Sequence, residues 1–401
     1  MTDMTLNNAI VEKWMANPMK YDLQRNDLKA LIAHYSTIFH SFGIEDNAKE
    51  AFIAYVLNSK LTEPPDEILL LQLNLLRIIF RDKKSRDLDC FEPMARRLFV
   101  ITQLDDEDIN QRDFNEEHLM EAEKVLSNFV FNSAKARQAF DDASSEQFVY
   151  LSGFSADALR ELHFFDLKIA FIVSAQMHSI QEDWLNDTDK TIIFVDVLRK
   201  AIDDLDSTNA NSHRDIAIQA LNVLYNLYCH AQIFDLEVAS ACGLECARVV
   251  GSARCDFELK QQAVNVLALL PIVSDVLCPK QTDKTVELES VELFEGCDVK
   301  YAKDLFALFE EAIEKVKDES HYLAMFFKAM IGLCTNNKAA RRYCRLKILP
   351  PLTAREVEKP PEQGDTLRNK IIRLMHGTSQ VAQLASEFLY VLCKRSGCPF
   401  C

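Results

Sequence analysis

Residues 75–91 read LLRIIFRDKKSRDLDCF: an apolar run broken by one arginine, then a polar stretch, then an aromatic residue. The same grammar returns as VLSNFVFNSAKARQAF (125–140), FDLKIAFIVSAQMHSI (165–180), LNVLYNLYCHAQIF (221–234), VNVLALLPIVSDVL (264–277), FKAMIGLCTNNKAARRY (327–343) and SEFLYVLCKRS (386–396). Taking Arg77, Asn128, Phe171, Asn226, Leu269, Leu333 and Leu389 as equivalent positions, the steps run from 43 to 64 residues. That is the range of armadillo or HEAT units carrying loop insertions. Apolar residues at spacings of three and four mark each segment as a helix with one buried stripe. No single unit can bury its stripe alone, whereas stacked neighbours build a continuous core. The chain is therefore expected to be all-α, a right-handed armadillo/HEAT-like superhelical solenoid of about 7–9 helical repeats over residues 1–401.

Composition points the same way. The 401 residues include nine glycines, about 2% against a usual 7% or so, and tight turns and phosphate loops need glycine where φ is positive. Pro-Pro pairs at 64–65, 350–351 and 360–361 punctuate the helices. The stretches 104–118, 202–215 and 280–292 read as inserted polar loops, and 355–366 as a proline-stiffened turn. A net charge of -16 argues against a nucleic-acid binder, and the longest apolar stretch, interrupted by Asn265, Pro271 and Ser274, is too short to cross a bilayer. The N-terminus shows no basic segment followed by an apolar core, so a cytoplasmic protein with buried free thiols is expected.

Catalytic signatures are sparse. The nine histidines are scattered, and no GxSxG, HExxH or phosphate-loop pattern occurs. CGLEC (242–246) has its cysteines four apart in an apparent helix, which suits small core residues better than metal ligands, and CPFC (398–401) has no partner pair nearby. No cofactor and no covalent chemistry are expected. What remains is a set of candidate contacts. Asn128 and Asn226 occupy one repeat position, where an amide can bond a bound peptide backbone or a neighbouring loop. Cations recur at or after the repeat helix: Arg77 and Arg81, then Arg341, Arg342 and Arg345, then Arg368, Lys370 and Arg373. A cationic ridge flanked by apolar residues suits an acidic or carboxylate-ended amphipathic helix.

The block 345–396, with LPPL (349–352), LRNKIIRLM (367–375) and ASEFLYVLC (385–393), resembles the most distinctive part of the synembryn family. Weaker likenesses are LRIIFRD (76–82), LSNFVF (126–131), HFFDLKIAF (163–171) and VNVLALLP (264–271). The resemblance implies a cytosolic chaperone and guanine-nucleotide exchange factor for heterotrimeric G-protein α subunits. Its concave face would grip the Gα C-terminal helix and hold the nucleotide-free state. By matching motif it assigns contacts to Arg77, Arg81, Asn128, Phe165 and Lys168, and further to Arg341, Arg342 and Arg345. It also allows a calcium-sensor protein to compete for the groove, and recruitment to the cell cortex. The ending GCPFC departs from the family's C-terminal cap and acidic tail, which puts full exchange activity in question. The competing expectation is an armadillo adaptor for another acidic helix; with two tryptophans, Trp14 and Trp184, the chain does not resemble nuclear-import solenoids.

Overall fold

The computed structural model describes residues 5–38, 43–59, 65–83, 87–102, 115–144, 161–206, 210–231, 233, 235–270, 276–280, 292–315 and 321–394. The GCPFC ending and most of the inserted loops 104–118 and 280–292 lie outside them. The chain divides into two compact units, Met1–Asp183 and Trp184–Cys401.

The first unit holds α1 (Asn8–Met15), α2 (Tyr21–Ser36), α3 (Asp46–Asn58), α4 (Asp66–Ile79), α5 (Phe91–Ile101), α6 (Glu116–Asn132), α7 (Ala134–Ser144) and α8 (Glu161–Gln176), and the division at Asp183 falls within α9 (His178–Asn186). They pack in two rows: α2, α4, α6 and α8 side by side, and α1, α3, α5 and α7 against them. The second unit holds α10 (Thr188–Asp203), α11 (Ala210–Cys229), α12 (Leu236–Gly251), α13 (Phe257–Leu267), α14 (Lys300–Lys315), α15 (His321–Asn336), α16 (Lys338–Ile348), the single turn α17 (Ala354–Val357), α18 (Leu367–Met375) and α19 (Gln380–Lys394). Its rows are α11, α13, α15 and α19, and α10, α12, α14 and α18. Each unit thus has the all-α, armadillo/HEAT-like stacking that the periodicity called for.

The stripes explain the rows. Helix α4 buries Leu69, Leu73, Leu76 and Ile79 at steps of three and four, together with Ile68, Gln72, Leu75 and Ile78. Aromatic triads tie rows together. Phe80 stacks on Phe129 at 3.8 Å between ring centres, with Phe91 edge-on to both. In the second unit Phe309, Phe327 and Phe388 meet edge to face at 5.1–6.0 Å.

The polar stretch after a repeat helix proves to be a corner one residue long in three of the quoted segments, at Ser133, Met177 and Asn337, and Asp187 forms another. At each corner the side chain four residues on reaches back to the carbonyl three residues before. Arg137 Nη1 donates to Val130 O at 2.8 Å, Gln181 Nε2 to Ser174 O at 2.5 Å, Thr191 Oγ1 to Trp184 O at 2.6 Å and Arg341 Nη1 to Cys334 O at 2.9 Å. These donors satisfy carbonyls that a terminating helix leaves orphaned. Asn and Asp cap the following helix where they stand at the corner: Asn337 Oδ1 accepts from Ala340 N at 2.9 Å, and Asp187 Oδ1 from Asp189 N at 3.1 Å.

Two expectations change in detail. The segment 264–277 does not form one helix: α13 ends at Leu267, ahead of Pro271, which lacks the N–H that a continuing helix needs. A short antiparallel hairpin, β1 (Leu293–Phe294) and β2 (Cys297–Asp298), interrupts the all-helical pattern. Its two-residue turn has positive φ at both Glu295 (50°) and Gly296 (80°), the conformation that glycine makes accessible and that matches strand twist. The described cysteines are free thiols; Cys242 and Cys246 lie fully buried in α12. No helix among the described residues is long and apolar enough to cross a membrane.

Candidate functional site

Five of the nine sequence-predicted contacts gather in the first unit, on α4, the turn that follows it, α6 and α8. Arg77 lies in the last turn of α4, where the helix dipole favours a cation. Its Nη2 donates to Asn74 Oδ1 at 3.0 Å, and its Nε faces Glu121 Oε1 at 2.6 Å. That approach lies off the N–H axis, so it is charge pairing more than a hydrogen bond. Glu121, Lys124 and Asn128 fall at i, i+3 and i+7 on α6 and so share a face. Lys124 lies 3.6 Å from Glu121 and 5.6 Å above the Phe165 ring, with Lys168 6.0 Å from the same ring.

Electrostatically, Arg77, Arg81 and Lys124 surround the buried carboxylate of Glu121, and Lys168 adds a further cation beside Phe165, so the patch is cationic within an acidic molecule. Burial lowers the Arg81 pKa first and repulsion from Arg77 lowers it further, with Glu121 opposing. A guanidinium so placed gains from an added anion. Asn128 carries a structural duty: its Nδ2 donates to the Arg77 carbonyl at 3.2 Å, while Asn132 Nδ2 donates to Phe80 O at 2.8 Å. The amides of α6 therefore close the C-terminal end of α4. Beneath the patch, Glu123 of α6 and Asp166 of α8 form a buried carboxyl pair. Burial raises Glu123 well above the carboxylate range, and Asp166 adds its charge and a hydrogen bond in the same direction.

The other four contacts lie in the second unit. Asn226 is half-buried on α11, outside the second grouping. Arg341, Arg342 and Arg345 stand on α16 beside a groove of roughly 1390 Å³ between α16, the LPPL turn, α17, α18 and α19. The groove's apolar residues are unusually exposed: Leu346 53%, Leu352 51%, Val357 67% and Tyr390 53%. Lys338, Arg345, Lys359 and Arg368 also line it, against one acid, Glu356, which pairs with Arg368 at 3.4 Å. Arg341 is the corner lock of α15, and Arg342 pairs with Glu295 of the hairpin turn. Arg345 is half-buried on the groove wall.

Sequence reasoning passed over Lys124 and Glu121, although their spacing to Asn128 was visible. It also passed over the apolar groove residues Leu346, Val357 and Tyr390, whose exposure depends on what the turns leave uncovered. Among the described residues no group of three or more His, Cys, Asp or Glu could hold a metal ion.

The family model described as "Guanine nucleotide exchange factor synembryn" matches residues 72–401. The chain belongs to the synembryn family. The chaperone ric-8 of Caenorhabditis elegans is 28% identical over 382 residues, covering 82% of this chain and 66% of its own length. The chaperone Ric-8B of Rattus norvegicus is 26% identical over 369 residues, covering 80% and 71%. This synembryn chain thus spans just under two thirds of the worm relative. A crystal complex of SYS-1 with POP-1 shares the fold at a TM-score of 0.55 and 10% identity, over 96% of this chain and 65% of that one.

Proposed function

We propose that this synembryn-family chain is a guanine-nucleotide exchange factor and folding chaperone for heterotrimeric G-protein α subunits, acting in the cytoplasm and reaching the cell cortex with its partner. The observation that carries this reading is the cationic, aromatic patch of Arg77, Arg81, Lys124, Phe165 and Lys168 across α4, α6 and α8. The Gα C-terminal helix ends in a carboxylate and has an apolar face. Arg77 and Arg81 would receive its charged end, and Phe165 its apolar side, with the lysines over the ring holding the aromatic in place. No covalent step is required. A protein that binds the open, nucleotide-free Gα more tightly than the closed GDP form shifts that equilibrium by its differential affinity. GDP then leaves, and GTP binding releases the complex.

Arg81 gives the cleaner test, because Arg77 also pairs internally with Glu121. GDP-loaded Gα is mixed with a GTP analogue, with and without this chain, and with a competing Gα C-terminal peptide. Acceleration that the peptide suppresses is expected, and Arg81→Ala should weaken peptide binding about 5- to 30-fold, a change of about 1–2 kcal/mol. Peptide binding without acceleration would leave a Gα-helix binder lacking exchange activity. Failure of both would favour an adaptor for another acidic helix.

A further inference from the structure

A second cavity lies at the start of the chain, where α1, α2, α3 and α4 meet. Its volume is roughly 200 Å³, and it is lined by Met15, Pro18, Met19, Tyr21, Gln24, Tyr55, Asn58, Ser59 and Gln72. All but Gln72 precede the stretch that the synembryn model matches. Two of the lining residues are buried amides: Gln24 and Gln72 are each 1% exposed. Both Oε1 atoms are buried and accept no hydrogen bond among the described residues.

The orientation of Gln24 is fixed by its other end. Its Nε2 donates to the carbonyls of Pro18 at 2.9 Å and Asn17 at 3.5 Å, so a flipped amide would set oxygen against oxygen. The unpartnered end of this cavity-lining side chain is therefore its oxygen, an acceptor. A buried carbonyl left unmet costs about 1–3 kcal/mol, and two in one small cavity are unusual.

The chemistry of the lining narrows the ligand. Among the described residues that line it there is no Lys, Arg, Asp or Glu. Burial and the neighbouring Tyr21 phenol push Tyr55 up to about 12, so Tyr55 remains a neutral O–H group at physiological pH. An ammonium would leave water without a counter-charge, and a carboxylate would meet two acceptors. A neutral group with two N–H donors and one acceptor fits, with an aliphatic stem against Met15, Pro18 and Met19.

We propose that this cavity binds a primary carboxamide, its NH2 donating to Gln24 Oε1 and Gln72 Oε1 and its carbonyl accepting from the Tyr55 hydroxyl. The carboxamide comes either as a small free amide or as a glutamine side chain presented by a peptide. The site is independent of the cationic patch and of any action on Gα.

The test follows the glutamine side-chain amide signals of the full chain, ¹⁵N-labelled at glutamine, by NMR. Butyramide represents the free amide and N-acetyl-glutamine N-methylamide the peptide-borne one; butylammonium and butyrate are the charged controls. Saturable shifts of Gln24 and Gln72 with either amide are expected, tighter for whichever source the site serves. The charged controls should bind at least about fivefold more weakly, equivalent to about 1 kcal/mol. Gln72→Met should lower amide affinity about fivefold or more, and Tyr55→Phe should lower it with an unchanged melting temperature. The proposal is overturned if neither amide shifts these signals, if butylammonium or butyrate binds as well, or if Tyr55→Phe folds and binds like the parent.

Discussion

Replacing Glu123 by glutamine tests the buried carboxyl pair beneath the candidate site. Glu123 is raised well above its unfolded value of 4.5, first by burial and then by Asp166. A carboxyl raised on folding contributes stability that is fully present below pH 4.5 and is lost as pH rises through the folded value. The loss has a ceiling. At pH 7 it cannot exceed the interval from 4.5 to 7, at about 1.4 kcal/mol per unit, or roughly 3 kcal/mol. Glutamine has nearly the same volume, keeps an N–H to donate to Asp166 and never ionises. Glu123→Gln should therefore match the parent near pH 4 and grow steadily more stable relative to it up to pH 7. For a unit of this size each kcal/mol moves the melting point by about 2–4 °C, so a gain of up to roughly 10 °C is available at pH 7. Melting curves at half-unit pH steps for both proteins measure it. Parallel curves from pH 4 to 7, or a variant less stable at pH 7, would refute the reasoning.

Asn132→Ala removes the amide that closes α4 at Phe80 O and should lower the stability of the first unit by about 1–2 kcal/mol, seen as a lower urea midpoint. Lys49→Met should cost about 1.5–3 kcal/mol, because Lys49 is 2% exposed and its loss removes the charged donor 2.9 Å from Asp82; the same denaturation reads it. Gly364→Ala should unsettle the start of α18, since φ there is 127° and a methyl group would sit 2.6 Å from Asn369 Oδ1, which accepts from Thr366 N. Faster amide exchange across residues 366–370 is the expected sign.

The helical rows were legible because a buried stripe needs one residue class at a fixed period, and residues 75–79 or 386–392 display it without help from the rest of the chain. Asn128 shows where that legibility stops. An asparagine on the polar edge of a helix looks the same whether it faces a ligand or a neighbouring helix end 51 residues earlier. Arg341 likewise reads as one more cation in a basic run, yet its guanidinium closes α15. Arg81 and Lys168 were legible as cations, but their relation to Glu121, Lys124 and Phe165 depends on how α4, α6 and α8 lie against one another. The hairpin at 293–298 falls just past the stretch 280–292 that read as an inserted loop, and it went unread although Glu295-Gly296 carried its turn chemistry.

The corner locks have a consequence for how such a chain changes over time. Arginine, glutamine and threonine all serve at the fourth position after a corner, because the bond asks for a donor of suitable reach and nothing else. Selection acting on that bond can exchange the residue freely while the angle between two helices stays put. The periodicity of this molecule is then partly a periodicity of bonds, which letters in a sequence record poorly. Copies of one ancestral unit can lose all visible kinship and still turn the chain by the same means.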